Sequence, residues 1–414
     1  MHRVLLPWEY YVNVQQGRLK TQMDDLFPRW VGTRELLLNG RNPYGPEVSA
    51  EIQTAFYGHP IQQRYDKPAS EIIDEQRFAY PIYIVLPLAP TVNVDFERLQ
   101  AWAPFILGLF VAMTVWLWFG VLRWRPPWWA AAAIIGFVLS SPQIAQGLRL
   151  RQIGLAVAML LALATWLVTR KRYLLGGVVL ACATIKPQMI VLYGLWFVIW
   201  TTADLKRRWS LAAGFGIALS LLVGVGEILL PGWIHYFLGG LAAYQKYFPT
   251  TSPLRLILGN WLGGTLSIVA IAALLVFSLF SSKVSAESDQ FVYVVALYFT
   301  ASTLVLPLLV PYNQVLLLLP VLIFVRDWHL LSRAGRIALA TILCWPPLAQ
   351  IALLIHRPPV RSFGHFPLLP SALSLLVPFV TLWLILASWR SWAMWTIFRL
   401  GPGSSQRKPA TSIS

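Results

Sequence analysis

Apolar stretches separated by short polar loops make up the chain from residue 99 onward, whereas the first 98 residues are polar. A hydrocarbon core of about 30 Å needs roughly 20 apolar residues per helix, so these stretches predict membrane spans. Eleven stretches are identified, at residues 99–122, 127–147, 152–169, 173–185, 188–203, 209–230, 261–282, 290–309, 312–325, 337–356 and 369–389. The pattern predicts an all-α polytopic membrane protein.

The same pattern divides the chain into three parts. Residues 1–98 form a polar segment, in which the apolar run Ile82 to Leu88 is too short to span and is expected to be interfacial or re-entrant. Residues 99–389 form the helical membrane domain. Residues 390–414, rich in Ser, Pro and basic residues, are predicted to form a partly disordered cytoplasmic tail.

Lys186-Pro187 interrupts the apolar run 173–203. Proline lacks an N–H and disfavours helical geometry in the residue before it, so the run is predicted to be two spans. The first span, 173–185, would be only about 20 Å long at 1.5 Å per residue. We therefore expect Lys186 to lie below the membrane surface, in an outward-facing cavity, since recessed helix ends are tolerated where they line water.

Basic residues in the short loops predict the orientation, because Lys and Arg are retained on the cytoplasmic side. With residues 1–98 outside, the inner loops and tail hold 16 Lys and Arg and the outer short loops hold 7. This bias requires the cut at Lys186-Pro187. It predicts a multi-pass protein of the cytoplasmic (inner) membrane with an extracytoplasmic N-terminal segment and a cytoplasmic tail.

Composition agrees with a membrane protein, since 57% of the residues are hydrophobic and 12% are charged, against about 25% charged in soluble domains. The net charge of +16 is typical of a nucleic-acid binder as well, but the basic residues form small clusters between apolar runs. We therefore expect membrane lipids as partners and no nucleic acid. Cys182 and Cys344 lie inside apolar runs, which argues against a disulfide framework.

Adjacent acids Asp24 and Asp25 are the first candidates for chemistry. Two neighbouring carboxylates repel, so one has a raised pKa, as a general base needs. A solvated or helix-capping pair is the alternative. His235 and His365, in predicted outer loops, are possible proton shuttles, although a lone loop histidine is more often structural. The spacing of His, Asp and Glu predicts no metal site and no cofactor.

Arg149, Arg151 and Lys186 come from three predicted helix ends on the outer side, and Gln152 is next to them. Cations recessed in a membrane are usually functional, and phosphate is a common ligand for them. The alternative is that these side chains extend to lipid headgroups.

Several motifs occur in a serial order that resembles glycosyltransferase family 87 of the GT-C superfamily. They are Asp25-Leu-Phe-Pro-Arg-Trp-Val-Gly-Thr-Arg-Glu-Leu-Leu-Leu-Asn-Gly-Arg-Asn-Pro-Tyr44, Phe78-Ala-Tyr-Pro81, the helix at Gln152, and Ala183-Thr-Ile-Lys-Pro-Gln188. The resemblance covers most of residues 20–205 and implies a GT-C-like helical bundle with a large first extracytoplasmic loop. Family members generally have a transmembrane helix before that loop, so we expect the natural protein to begin upstream of Met1.

The resemblance implies an enzyme that moves a hexose or pentose from a polyprenyl-phosphate carrier to a lipid or glycan acceptor on the outer side of the cytoplasmic membrane. Asp25 would be the catalytic base, with Asp24 as the alternative, and the anomeric centre would be inverted. Lys186, Arg151, Arg149 and Gln152 would bind the donor phosphate. Two other classes stay open: a lipid or sugar transporter, for which we find no inverted repeats, and a non-catalytic envelope assembly subunit.

Overall fold

The computed structural model describes residues 23–61, 75–247, 251–308, 310–356 and 368–389, and within these ranges it is helical with no β-strand. Its α-helices are α1 (Phe27–Asn39), α2 (Pro46–Tyr57), α3 (Val85–Leu88), α4 (Phe96–Val121), α5 (Trp128–Ser140), α6 (Pro142–Arg149), α7 (Gly154–Thr169), α8 (Tyr173–Cys182), α9 (Pro187–Thr202), α10 (Leu205–Leu229), α11 (Trp233–Tyr247), α12 (Pro253–Leu258), α13 (Asn260–Ser281), α14 (Asp289–Val305), α15 (Leu318–Arg326), α16 (Arg333–His356) and α17 (Leu368–Ala387). Short 3₁₀ helices flank several of them, at Ile82–Ile84, Ala89–Thr91, Ala183–Ile185, Pro311–Leu317 and Trp328–Leu330.

Three helices of the described ranges, α4, α10 and α13, are long and apolar enough to cross a membrane. Helices α5 and α6 qualify together as a fourth, bent span. Most of the other predicted spans contain shorter apolar helices, among them α7, α9 and α14. The chain is therefore an α-helical membrane protein, and the predicted count of eleven spans stays a prediction.

Two predicted spans differ from the structure at X-Pro steps. The span predicted at 127–147 is broken, because α5 and α6 meet at 62°. Ser141 between them is extended, at φ −62° and ψ 142°, since the following proline disfavours a helical conformation. The span predicted at 312–325 begins as the 3₁₀ helix Pro311–Leu317, which leaves only nine α-helical residues in α15.

The helix break predicted at Lys186-Pro187 is confirmed. Lys186 has φ −123° and ψ 82° and separates the 3₁₀ helix Ala183–Ile185 from α9. The rings of Tyr173, at the start of α8, and Trp200, near the end of α9, are 6.1 Å apart. A straight helix would separate these residues by about 40 Å. Helices α8 and α9 therefore form an antiparallel hairpin with Lys186 at its tip.

The described residues of the polar N-terminal segment, 23–61 and 75–98, pack against the tip end of this hairpin. In it, α1 is fixed by aromatic contacts, such as the ring pair Phe27 and Phe96 at 4.8 Å. The short run predicted at 82–88 is helical and its first residues are buried. The Tyr83 hydroxyl lies 2.8 Å from Thr184 Oγ1, just before the hairpin tip. The segment thus covers the end of the bundle at which Lys186 lies.

Loops that charge predicts to be cytoplasmic meet at the opposite end of the bundle. The Lys171 ammonium is 3.0 Å from the Glu287 carboxylate. Arg208, on α10, lies over the Trp200 ring at 3.6 Å and donates to the Ser282 carbonyl at 2.8 Å. These contacts join three predicted inner loops, those between α7 and α8, between α9 and α10, and between α13 and α14, at the open end of the α8–α9 hairpin.

Candidate active site

Two neighbouring carboxylates face two neighbouring residues of the turn between α6 and α7. Asp24 Oδ2 is 3.3 Å from Arg151 Nη1, and the Gln152 amide donates to Asp25 Oδ2. Arg151 has a φ of +49°, a left-handed conformation that is uncommon for residues other than glycine. Two contacts therefore hold the segment before α1 against the start of α7: Arg151 with Asp24, and Gln152 with Asp25.

The Asp24 carboxylate is held by three protein groups. Its carboxylate accepts hydrogen bonds from the Leu26 amide and from Gln100 Nε2, both at 2.8 Å, besides its pairing with Arg151. The side chain is 4% exposed. These contacts fix the segment before α1 to α4, where Gln100 lies, and leave Asp25 as the carboxylate with capacity for a substrate.

Two cations face Asp25. Lys186 is buried at the hairpin tip, where its Nζ donates to Asn313 Oδ1 at 3.0 Å and lies 5.1 Å from the centre of the Tyr312 ring. Gly154, the first residue of α7, gives the ammonium space, because a Cβ there would lie 2.8 Å from Nζ. Arg29, in the first turn of α1, lies over the Tyr80 ring at 4.6 Å.

Burial has the largest effect on the pKa values of Asp25 and Lys186. It raises the pKa of Asp25, an effect that the charges of Arg29 and Lys186 oppose. Burial and the repulsion of Arg29 lower the pKa of Lys186, in the break between α8 and α9, to about 7. One carboxylate therefore faces two cations, and the site is suited to receive an anion that supplies the missing negative charge.

The structure brings five of the predicted site residues together: Asp24, Asp25, Arg151, Gln152 and Lys186. Arg149 contacts these residues through its backbone, because its carbonyl oxygen accepts a hydrogen bond from Arg151. His235 is exposed at the start of α11, with its ring 6.2 Å from that of Tyr236. His365 lies outside the described residues. Within the described ranges, no group of three or more His, Cys, Asp or Glu residues is arranged for a metal ion.

Sequence reasoning did not identify Arg29, Tyr80, Tyr312 and Asn313 as site residues. Arg29 follows Asp25 by four positions, which is one helical turn. Tyr312 and Asn313 are polar residues directly after Pro311 in an apolar stretch. These signals were present in the sequence, but both are common outside functional sites.

The sequence model of glycosyltransferase family 87 matches residues 78–307, more than half of the 414-residue chain. The matched range contains Tyr80, Arg151, Gln152 and Lys186; it begins after Asp25 and ends before Tyr312 and Asn313. No curated protein and no solved structure matches the chain.

Proposed function

Because this chain belongs to glycosyltransferase family 87, we propose that the site around Asp25 transfers a hexose or pentose from a polyprenyl-phosphate carrier to a lipid or glycan acceptor. The reaction takes place on the outer side of the cytoplasmic membrane. A single displacement inverts the anomeric centre. The observation that carries the proposal is one carboxylate, Asp25, placed with two buried or half-buried cations, Arg29 and Lys186.

Asp25 is the general base in this scheme. The acceptor hydroxyl oxygen attacks the anomeric carbon while its proton passes to the Asp25 carboxylate. The bond between the anomeric carbon and the phosphate oxygen breaks, and its electron pair stays on the phosphate. Gln152 orients the carboxylate through its amide, and the raised pKa of Asp25 makes it a stronger base than an exposed aspartate.

Lys186 stabilises the departing phosphate. The donor is a phosphodiester with one negative charge, and the leaving phosphate gains a second charge as the glycosidic bond breaks. An ammonium held in a water-poor site interacts with that developing charge more strongly than it would in water. Asn313 and Tyr312 hold the ammonium, and an arriving phosphate keeps it protonated because an opposite charge favours the charged form.

The hairpin geometry supports a lipid-linked donor. Lys186 lies at the tip of α8 and α9, and helix α8 with its 3₁₀ extension is too short to cross a membrane fully. The tip therefore lies at the depth where the phosphate of a membrane lipid enters from the headgroup region. The basic loops clustered at the other end of the bundle support the outward orientation of the site.

Transfer in proteoliposomes tests the proposal. The wild-type chain is reconstituted with lipid and glycan acceptors and with either polyprenyl-phosphate sugars or the corresponding nucleotide sugars, hexose and pentose in each case, and sugar transfer is measured. We expect Asp25→Asn to lower the rate by about 10² to 10⁴. Asp95→Asn, an exposed acid of the same segment, is the matched control and should retain wild-type activity. Equal rates for the two variants would rule out Asp25 as the base, and transfer from nucleotide sugars alone would rule out the donor class.

A further inference from the structure

We propose that Arg29 binds the phosphate of the donor together with Lys186, so that the phosphate is held between a guanidinium and an ammonium. This inference rests on the proposed function and adds a residue to its site. It assigns the cation in the first turn of α1 a direct contact with the lipid-linked substrate.

The position of Arg29 supports the contact. Asp25 and Arg29 are four residues apart, across the start of α1, and the charge of each acts on the other. The Tyr80 ring supports the guanidinium from one face, at 4.6 Å. Arg29 Nε is buried and has no hydrogen-bond partner among the described residues. A buried donor without a partner is costly, and a ligand oxygen would satisfy it.

Charge balance gives a second, independent reason. No carboxylate within the described ranges lies within 4.0 Å of the Arg29 guanidinium. The neighbouring carboxylate of Asp24 forms its ion pair with Arg151 instead. The charges that act on Lys186 are those of Arg29 and Asp25. One phosphate anion between the two cations neutralises the site, and the leaving dianion binds more strongly still.

The two cations have different geometries. A guanidinium presents parallel N–H donors that match two oxygens of one phosphate, whereas an ammonium acts as a point charge. Arg29 is therefore expected to orient the phosphate relative to Asp25, and Lys186 to supply charge. Arg29 also lowers the pKa of Asp25, so a role acting on the base alone is the alternative that the experiment must separate.

Binding of the reaction product separates the two roles without catalysis. The full chain in detergent is titrated with polyprenyl phosphate and with polyprenol of the same length, which lacks the phosphate. We expect Arg29→Gln to weaken binding of polyprenyl phosphate by about ten- to a hundredfold, as expected for a charged hydrogen bond. The affinity of Arg29→Lys for polyprenyl phosphate should lie between that of Arg29→Gln and that of the wild type. The affinity for polyprenol should be the same in all three proteins. Arg34→Gln, an exposed cation of the same helix, is the control and should bind as the wild type does.

Wild-type affinity for polyprenyl phosphate in Arg29→Gln would overturn the proposal. If turnover then falls and the acidic limb of kcat/KM moves to higher pH, Arg29 acts on Asp25. Should Arg29→Gln not fold, Arg29→Lys decides the question, since wild-type phosphate affinity there would equally contradict two-oxygen recognition. Arg29-dependent phosphate binding by a chain that transfers no sugar would refute the proposed function and leave the phosphate site standing.

Discussion

Arg151 pairs with Asp24 in a buried setting, so the structure predicts that Arg151 acts on stability rather than on the donor. Arg151→Gln leaves the Asp24 carboxylate, 4% exposed, without its cation. Removing one partner of a buried ion pair typically costs 3–5 kcal/mol. Two other hydrogen bonds to Asp24 remain, from Leu26 and Gln100, and Arg151 is 20% exposed. We therefore expect about 3 kcal/mol, which is about a hundredfold in the folding equilibrium.

The double variant Asp24→Asn with Arg151→Gln distinguishes stability from catalysis. It removes both charges together, and the asparagine introduced by Asp24→Asn can still accept from the Leu26 amide through its side-chain oxygen. The large cost of removing one partner comes from the buried charge left without compensation, and the double variant leaves no such charge. We expect the double variant to regain most of the lost stability and to transfer sugar at close to the wild-type rate.

Melting in detergent and transfer in proteoliposomes are the two assays. The single variant should melt at a lower temperature than the wild type, and the double variant close to it. The reasoning is refuted if the double variant melts like the wild type but binds polyprenyl phosphate more than about tenfold more weakly. That result would show a phosphate contact for Arg151, the role that the sequence predicts for it.

Two further predictions concern Lys186. The pH profile of kcat/KM for the donor should have two limbs in the free enzyme: it falls at acid pH as Asp25 is protonated, at a pH above the usual carboxylate range, and falls again as the pH rises through about 7 and Lys186 loses its proton. Lys186→Arg should remove the alkaline limb. An unchanged alkaline limb in that variant would contradict the assignment to Lys186. Gly154→Ala places a methyl group 2.8 Å from Lys186 Nζ, so the donor KM should rise several-fold with little change in melting temperature. Gly136→Ala is the control, because a methyl group there meets no atom within 4 Å, and it should change neither the KM nor the melting temperature.

Local chemistry explains which parts of the fold were predictable. The break at Lys186 follows from the covalent structure of the next proline, and the structure confirms it. The same rule applies at Ser141, but the apolar stretch 127–147 continues across this bend and was therefore predicted as one span. After Pro311, the apolar pattern does not distinguish a 3₁₀ helix from an α-helix, so the span at 312–325 was predicted as a regular α-helix.

The candidate site was predictable only in part, because its contacts join residues far apart in the chain. The pairing of Asp25 with Gln152 bridges 127 positions, as does that of Lys186 with Asn313. Periodicity carries no information about such pairs. The sequence supplied recessed cations and a pair of acids, but the partner that each one contacts depends on how α1, α7 and α9 meet. Arg151 shows this, because its carboxylate partner was not evident from spacing.

The backbone itself adds to the potential around Lys186. Helices α7 and α9, of 16 residues each, both begin beside its side chain, at Gly154 and Pro187. The aligned peptide dipoles of a helix place a partial positive charge at its N-terminus. Each such end is worth about 0.3–1 kcal/mol to a nearby anion, and about 2 kcal/mol in a partly buried setting. This part of the attraction does not titrate and does not depend on the Lys186 side chain, so a variant without the Lys186 ammonium should lose only part of the affinity for anions.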